Sequence, residues 1–491
     1  MNPPLLNKKF LETHQHHDLL KLMELPERVI QFGTGVLLRG LPDYHIHKAN
    51  LSGNFNGRIV IVKSTSQGEI NSWKDQDYLF THCVRGIENN TPISSELINT
   101  SVSRVLQAQS QWTEVLECAA DPQINVLLSN TTEKGLAYQD EQILHSIPES
   151  FPGKVAAYLY HRYSVLGDIP EADIVIVPTE LVENNGELLQ SFVFKASEFN
   201  KLDSRFLSWL SHHALFCNSL VDRIVPGKPD PQSLADIQEK SGYMDDYLIV
   251  SEPFNLWAIE GDEKVKKILN FQTGNPGVKI VDDISLFKEL KLRLLNATHI
   301  LTCGTAIIEG FNTVSEAVIN KEFNKHIAQL LEEIKVSIPK PIESNLIEEF
   351  SDAVLGRFAN PYIRHNWISI ILNYTDKMKI RAIPLISQYY SNFAQLPVIM
   401  IEGLAAYFYL SIPDVEEDGQ FYKNIGEKKI QLNDPFCKVI YSQNQMNGVE
   451  ATIKNTLNYL FTDIDFYSAF EAELENSVLN KYNQIKTPLL A

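Results

Sequence analysis

Cysteine is scarce in this sequence. The five present, Cys83, Cys118, Cys217, Cys303 and Cys437, are odd in number and no two stand at a metal-ligand spacing. Neither a disulfide framework nor a cysteine-built zinc site follows, and such usage suits a reducing cytoplasm. Long apolar runs are missing as well: no segment approaches the roughly 20 apolar residues of a membrane span. The start, "MNPPLLNKKFLETHQHHDLL", has no apolar core of signal-peptide length, so a cytoplasmic location is expected. Its His14, His16 and His17 lack carboxylates or cysteines at ligand spacing and are read as an exposed polar start; no metal is expected. Cations are outnumbered, 43 Lys and Arg against 61 Asp and Glu, for a net charge of −18. That balance repels nucleic-acid backbones and anionic lipids, so neither is an expected partner. An anionic small ligand would have to be met by a local basic pocket.

What the chain has is length and apolar content. At 491 residues and 44% hydrophobic composition it exceeds one core and is expected to form two domains. "ERVIQFGTGVLLRG" reads as a strand, Arg28 to Phe32, then a glycine turn and a helix start running into "LPDYHIHKAN". "GRIVIVKST", "INVLLSNTTEKG" and "ADIVIVPTELV" repeat the pattern of a β-branched run ending in small polar residues, with helical stretches between. Continuous apolar strands are those of a parallel sheet covered on both faces. The first part, residues 1–280, is therefore expected to be a doubly wound, Rossmann-like α/β domain. Its ligand should lie beyond the strand ends, where the Gly33, Asn130 and Thr179 segments emerge. After about Val281 long 3.6-period patterns take over, and residues 281–491 read as a mainly α-helical domain with few strands. "VSIPKPIES" reads as a loop between two of its helices.

The glycine turn after the first strand is placed to let a pyrophosphate approach the backbone, with Gly33 and Gly35 as the first two glycines of a dinucleotide fingerprint. The third should fall at Leu38; Gly40 comes two residues later, so the fingerprint is incomplete. At the end of the second strand, where an acidic side chain often meets the adenosine ribose, stand Lys63, Ser64 and Thr65. Lys63 either favours a 2′-phosphate or points into solvent.

"KELKLRLLNATH", Lys288 to His299, sets polar residues among leucines. At about 100° per residue, Phe287, Leu290, Leu294 and Leu301 form one apolar arc. Lys291, Asn296 and His299 project across a second, while Glu289 and Arg293 point toward solvent. A lysine partly shielded on such a face can act as a general acid or base near neutral pH, with amide and imidazole groups binding a substrate oxygen. The alternative is a snorkelling lysine and a satisfied core histidine.

The spacing Lys291, four residues, Asn296, two residues, His299, after an α/β domain, resembles the signature of the mannitol dehydrogenase, or polyol-specific long-chain dehydrogenase, family. "FCNSLVDRIVPG", with Asn218, Asp222 and Arg223, is similar to a further block of that family, as are "SEPFNLWAIEG" and "GRFANPYIRH". The likeness runs from Gly33 to Lys377. It implies hydride exchange with NAD, NADP not being excluded, in a monomer or weak homo-oligomer. Lys291 would be the proton donor or acceptor, with Asn296 and His299 holding the developing alkoxide. Cofactor contacts would come from Phe32, Gly33, Thr34, Gly35 and Val36, from Lys63, and from Asn130, Thr131 and Glu133.

"SNTTEKG", "PTELVENNG" and "RFANPYIRHNWISIILNYTDK" look most like members acting on sugar acids, which implies a keto-uronate or aldonate substrate. Glu180 stands where polyol-oxidising members carry asparagine, and Ser369 where they carry an arginine eight residues before Lys377. The implied substrate contacts are Glu180, Asp222, Arg364, His365 and Lys377, the last three as cations for a carboxylate. Rival readings are the epimeric keto-uronate, a neutral polyol, or a non-catalytic nucleotide sensor.

Overall fold

Val29, Ile30 and Phe32 are fully buried in strand β1, Glu27–Phe32, and every residue of β2, Arg58–Lys63, is buried. With β3 (Val102–Gln107), β4 (Val126–Ser129), β5 (Ile174–Pro178) and β6 (Ala214–Phe216) they form a parallel sheet in the order β3-β2-β1-β4-β5-β6. This is the doubly wound order, in which the direction of winding reverses between β1 and β4. The computed structural model describes residues 3–64, 71–88, 91–132, 135–339 and 341–486. Side chains alternate between two apolar cores: Ile30, Phe32, Val60, Val62, Leu127 and Ile176 enter one, and Val29, Ile59, Ile61, Val126, Leu128 and Val177 the other. Each such side chain contributes about 1.5–3 kcal/mol on burial, which makes the sheet a firm platform for the loops at its carboxyl edge.

The α/β expectation for the first part holds, with strands the sequence reading passed over. β3, "VSRVLQ", exposes Ser103, Arg104 and Gln107 partly at the sheet edge and so lacks a continuous apolar run. β6 has three residues, too few for a periodic signal. Strands Phe80–Glu88 and Thr91–Asn99 form a smaller sheet with Ile249–Ser251, and Ser219–Asp222 pairs antiparallel with Leu256–Glu260.

The chain divides into two compact units, Met1–Arg85 with Pro92–Ile284, and Gly86–Thr91 with Ser285–Ala491. The second is mainly helical. Its central helix, Val398–Ser411, is apolar all round and buried along nearly its whole length. The few strands of this unit form a three-stranded antiparallel meander, Val415–Glu417, Gln420–Ile425 and Lys428–Leu432. Asp418 and Gly419, both at positive φ, make its first tight turn; charged residues on its exposed face hid the pattern. Among the described residues no helix is long and apolar enough to cross a membrane, and all five cysteines are buried and unpaired.

Beyond the glycine turn, helix α1 (Val36–Gly40) is followed at Pro42 by α2 (Pro42–Leu51). On α2 Asp43 is 0% exposed, with the Gln31 side chain against its carboxyl group. Burial, opposed by the charge of Arg39, pushes its pKa up to about 8. A folded-state pKa above the unfolded value means that Asp43's contribution to stability is full below about pH 4 and is lost as pH rises through about 8. Asp43→Asn is therefore expected to match the wild type in melting temperature near pH 4 and to exceed it by a margin that grows from there and levels off above about pH 8. Parallel melting curves across that range would refute the assignment.

Candidate functional site

The first unit builds a cradle from backbone at its glycine turn. Gly33 lies at φ +133° and donates its N–H to the Val62 carbonyl at 3.1 Å. A Cβ there would stand 2.9 Å from Leu38 Cδ1 and 3.3 Å from the Asn130 carbonyl oxygen. Position 38, where the usual fingerprint has a glycine, is thus filled by a leucine that packs over Gly33. The close packing is displaced to Gly40, whose absent Cβ would strike Val225 at 2.7 Å. Gly35 differs from both: a Cβ would meet nothing within 4 Å. The open space above it, together with the amides of Val36, Leu37 and Leu38 that have no carbonyl within α1, fits a dinucleotide pyrophosphate.

Beside this turn stand the loops after β4 and β5, because Phe32 is in register with Ser129 and Ser129 with Pro178. They are tied to one another. Asn130 Nδ2 donates to the Thr179 carbonyl (2.9 Å) and hydroxyl (3.0 Å) oxygens, and Thr179 Oγ1 donates to the Ser129 carbonyl at 2.7 Å. Glu180, 2% exposed, accepts from Thr131 N (2.8 Å), Thr131 Oγ1 (3.2 Å) and Ser129 Oγ (3.1 Å). Burial raises its pKa against the pull of these bonds. Expected as a substrate contact, Glu180 here spends its carboxylate on the loop that carries Asn130 and Thr131.

Lys63 is buried at the end of β2, opposite Gln107, rather than pointing into solvent. Glu133 and Thr65 lie outside the described residues. Asp222 is buried where Ser219–Asp222 ends, paired with Leu256. Its neighbour Arg223 carries more of the architecture than the sequence reading assigned. Nη1 donates to the Gly40 carbonyl (2.7 Å), Nε to the Glu252 carbonyl (3.0 Å), and the guanidinium lies 4.4 Å from the Tyr44 ring centroid. Glu252 Oε1 in turn accepts from Ile224 N at 2.6 Å. The blocks "VDRI" and "SEPF" thereby fasten the end of α1, and the signal for this was their joint presence rather than any single residue.

In the second unit the lysine helix is not uniform. Helix α3 (Ser285–Leu290) passes into a π-helical stretch, Lys291–Ala297, and then α4, Thr298–Ile308. In an α-helix residues five apart diverge by about 140°, but i→i+5 bonding sets them nearly above one another. The π stretch thus draws Lys291 and Asn296 closer together on the arc that the uniform 100° projection had them span at about 140° apart. Thr298 Oγ1 donates to the Leu294 carbonyl at 2.6 Å where π gives way to α. Leu290, Leu294 and Leu301 are buried as expected. Arg293 and Glu289 are not turned to solvent. Arg293 is 7% exposed and donates to Glu289 Oε1 (2.7 Å) and to the carbonyls of Ile380 (2.7 Å) and Arg381 (2.9 Å), an ion pair that locks the helix in place.

Lys291 and Asn296 are half-buried, and His299 is buried. The His299 ring packs 4.2 Å from Phe358, at the end of α5 (Ser344–Phe358), and 4.9 Å, edge-on, from His365. One ring nitrogen bonds the Leu295 backbone, while Nε2 has no partner. Burial, then the charges of His365, Arg357 and Arg381, holds its pKa well below the ordinary imidazole value, so the ring is neutral. A neutral ring donating from one nitrogen presents the other as an acceptor. Lys377, on α6 (Tyr374–Arg381), donates to the Ile370 carbonyl at 2.9 Å. Tyr374 Oη on the same helix donates to the Ile300 carbonyl at 3.0 Å and anchors α6 to α4. Burial and the charges of Arg357 and Lys377 lower the pKa of His365, so the structure brings His365 and Lys377 to the His299 neighbourhood. Arg364 is instead exposed, with its charge felt at Glu316.

A nucleotide-binding sheet and a separate helical unit bearing a lysine, an amide and a neutral imidazole define a dehydrogenase-type chain. Residues 27–273 match the mannitol dehydrogenase Rossmann domain and 283–485 the mannitol dehydrogenase C-terminal domain; the chain belongs to the mannitol dehydrogenase family. It is 38% identical to an altronate oxidoreductase of Halalkalibacterium halodurans over 84% of this chain and 80% of that one. An altronate oxidoreductase of Bacillus subtilis is 34% identical over 82% and 84%. Among solved structures, a substrate-free D-sorbitol dehydrogenase shares the fold with a TM-score of 0.76 at 19% identity, covering 95% of this chain and 94% of that one. A Pseudomonas fluorescens mannitol 2-dehydrogenase in ternary complex with NAD and D-mannitol does so at 0.62 and 20%, with the same coverage.

Proposed function

We propose that the protein is an NAD-dependent oxidoreductase interconverting D-tagaturonate and D-altronate. The observation that carries this reading is the π-turned face of Lys291, Asn296 and His299 in a unit where Lys377 adds positive charge beside His365, within a chain akin to altronate oxidoreductases.

Gly33, Thr34, Gly35 and the first-turn amides of α1 would hold the pyrophosphate, and the tied Asn130–Thr131 loop would border it. When bound, the nicotinamide ring supplies or takes the hydride. Lys291 gives a proton to the ketone oxygen during reduction and removes it from the hydroxyl during oxidation. The Asn296 amide has no recorded partner among the described residues and is available to donate to the developing alkoxide. His299, neutral and with Nε2 as an acceptor, receives a hydrogen bond from a substrate hydroxyl rather than giving one to the alkoxide. NAD is favoured over NADP because Lys63 is buried and "STSQGEI", residues 64–70, contains no cation to meet a 2′-phosphate.

The expected result is oxidation of NADH, faster than of NADPH, with tagaturonate, followed by loss of reduced-cofactor absorbance. Fructuronate and fructose serve as the comparison substrates. Turnover of neither keto-uronate would sink the proposal.

A further inference from the structure

Two neighbouring arginines of the second unit are used differently. Arg293 is buried and consumed by Glu289 and two carbonyls. Arg381, the last residue of α6, is half-buried, yet no hydrogen-bond acceptor or carboxylate for its guanidinium is recorded among the described residues. Lys377 stands one turn earlier on the same helix, at the i, i+4 spacing that puts two side chains on one face. The two cations share surroundings. Burial and then Arg381 lower the pKa of Lys377, and the charge of each is felt at Cys303, one turn beyond His299 on α4. The charge of Arg381 also reaches His299, as does that of His365.

The acid whose charge is felt at Lys377 is Asp434, whose two oxygens accept from Thr375 N at 2.7 Å and Phe436 N at 2.9 Å. Ser369 adds no charge, and its hydroxyl donates back to the Asn366 carbonyl at 2.7 Å. A guanidinium that is partly desolvated with no carboxylate paired to it among the described residues is costly, and in a chain with 61 acidic residues against 43 basic ones this shortage of anions around Arg381 is local. The arrangement is relieved by an anion from outside, and a planar guanidinium beside an ammonium matches a carboxylate.

We propose that Arg381, supported by Lys377, binds the carboxylate of the substrate and makes the enzyme prefer a sugar acid to a neutral ketose. This assignment rests on the reaction proposed above. The test is steady-state kinetics of the wild type, Arg381→Ala, Arg381→Gln and Arg381→Lys, with tagaturonate and the neutral ketose tagatose. Altronate and inorganic phosphate binding are measured alongside by calorimetry, with melting temperatures as the check on folding. KM for tagaturonate is expected to rise about 30- to 100-fold in the alanine variant, with kcat changed by less than about fivefold. Tagatose kinetics and NADH affinity are expected to stay as in the wild type, and lysine to recover most of the loss. If alanine melts much lower, the glutamine variant is the one that decides.

An unchanged KM for tagaturonate, or equal losses on tagaturonate and tagatose, overturns the assignment. So does phosphate binding that depends on Arg381, since the group would then serve a phosphate ester. If the wild type turns over no keto-uronate the reaction proposed above fails, and altronate binding then decides Arg381 separately. Binding lost in Arg381→Ala upholds it; binding absent or unaltered overturns it.

Discussion

Lys291→Met is expected to lower kcat about a thousandfold with tagaturonate while leaving NADH affinity within about twofold. General acid–base groups contribute on the order of 10² to 10⁴ in rate, and neither companion of Lys291 on the π-turned face is suited to carry that proton. Asn296 does not titrate, and His299 is held neutral by burial and by neighbouring cations. Methionine keeps the length of the stem, so the packing of the helix is preserved while the ammonium is lost. Stopped-flow titration of NADH fluorescence separates binding from turnover. Added small primary amines should restore part of the rate in the smaller Lys291→Ala, with a pH dependence that follows the pKa of each amine. A variant that keeps more than about a tenth of the wild-type rate would remove Lys291 from its assigned role.

The second large effect concerns two glycines that look alike in the sequence and should behave differently. Gly33→Ala must place a methyl group at φ +133°, 2.9 Å from Leu38 Cδ1 and 3.3 Å from the Asn130 carbonyl. The backbone strain and the steric clash together should cost about 3 kcal/mol of stability and weaken dinucleotide binding as the turn shifts. Gly35→Ala puts its methyl into open space at an ordinary backbone conformation, so the melting temperature should hold. That open space is the one assigned to the pyrophosphate, so NADH affinity should still fall by about two orders of magnitude. Thermal melts and equilibrium titrations of the two variants distinguish the cases. If Gly35→Ala binds NADH as the wild type does, the pyrophosphate does not lie where the cradle places it.

How much of this was legible in the sequence depended on whether a feature announces itself locally. The strands β1, β2, β4 and β5 did, because runs buried on both faces are apolar at every position. The edge strand β3 and the antiparallel meander did not, since a strand with a wet face shares its composition with loops. The incomplete glycine fingerprint was visible, but its meaning was not. Only packing shows that Leu38 covers Gly33 and that Gly40 takes up the close approach.

The same holds in the helical unit. Lys291, Asn296 and His299 could be singled out by their polarity among leucines, and the family blocks strengthened that choice. The change from α to π bonding that aligns two of them leaves no mark in composition. Arg381 was passed over because an arginine at the end of a helix is commonplace; only its lack of an acceptor sets it apart from Arg293, whose burial was likewise unforeseen. Arg364, chosen for its place beside His365, lies on the surface.

The π stretch also bears on heredity. A turn bonded i→i+5 holds one residue more than the α turn it replaces, so Lys291–Ala297 contains a spare residue in the strict sense. Loss of one codon between Lys291 and Asn296 could be absorbed by a return to α bonding, with α3 and α4 keeping their positions, while the register of the polar face is destroyed. In this helix foldability and chemistry are therefore separable by a single in-frame event, and chains that keep the fold and lose the spare residue would inherit the scaffold without the reaction.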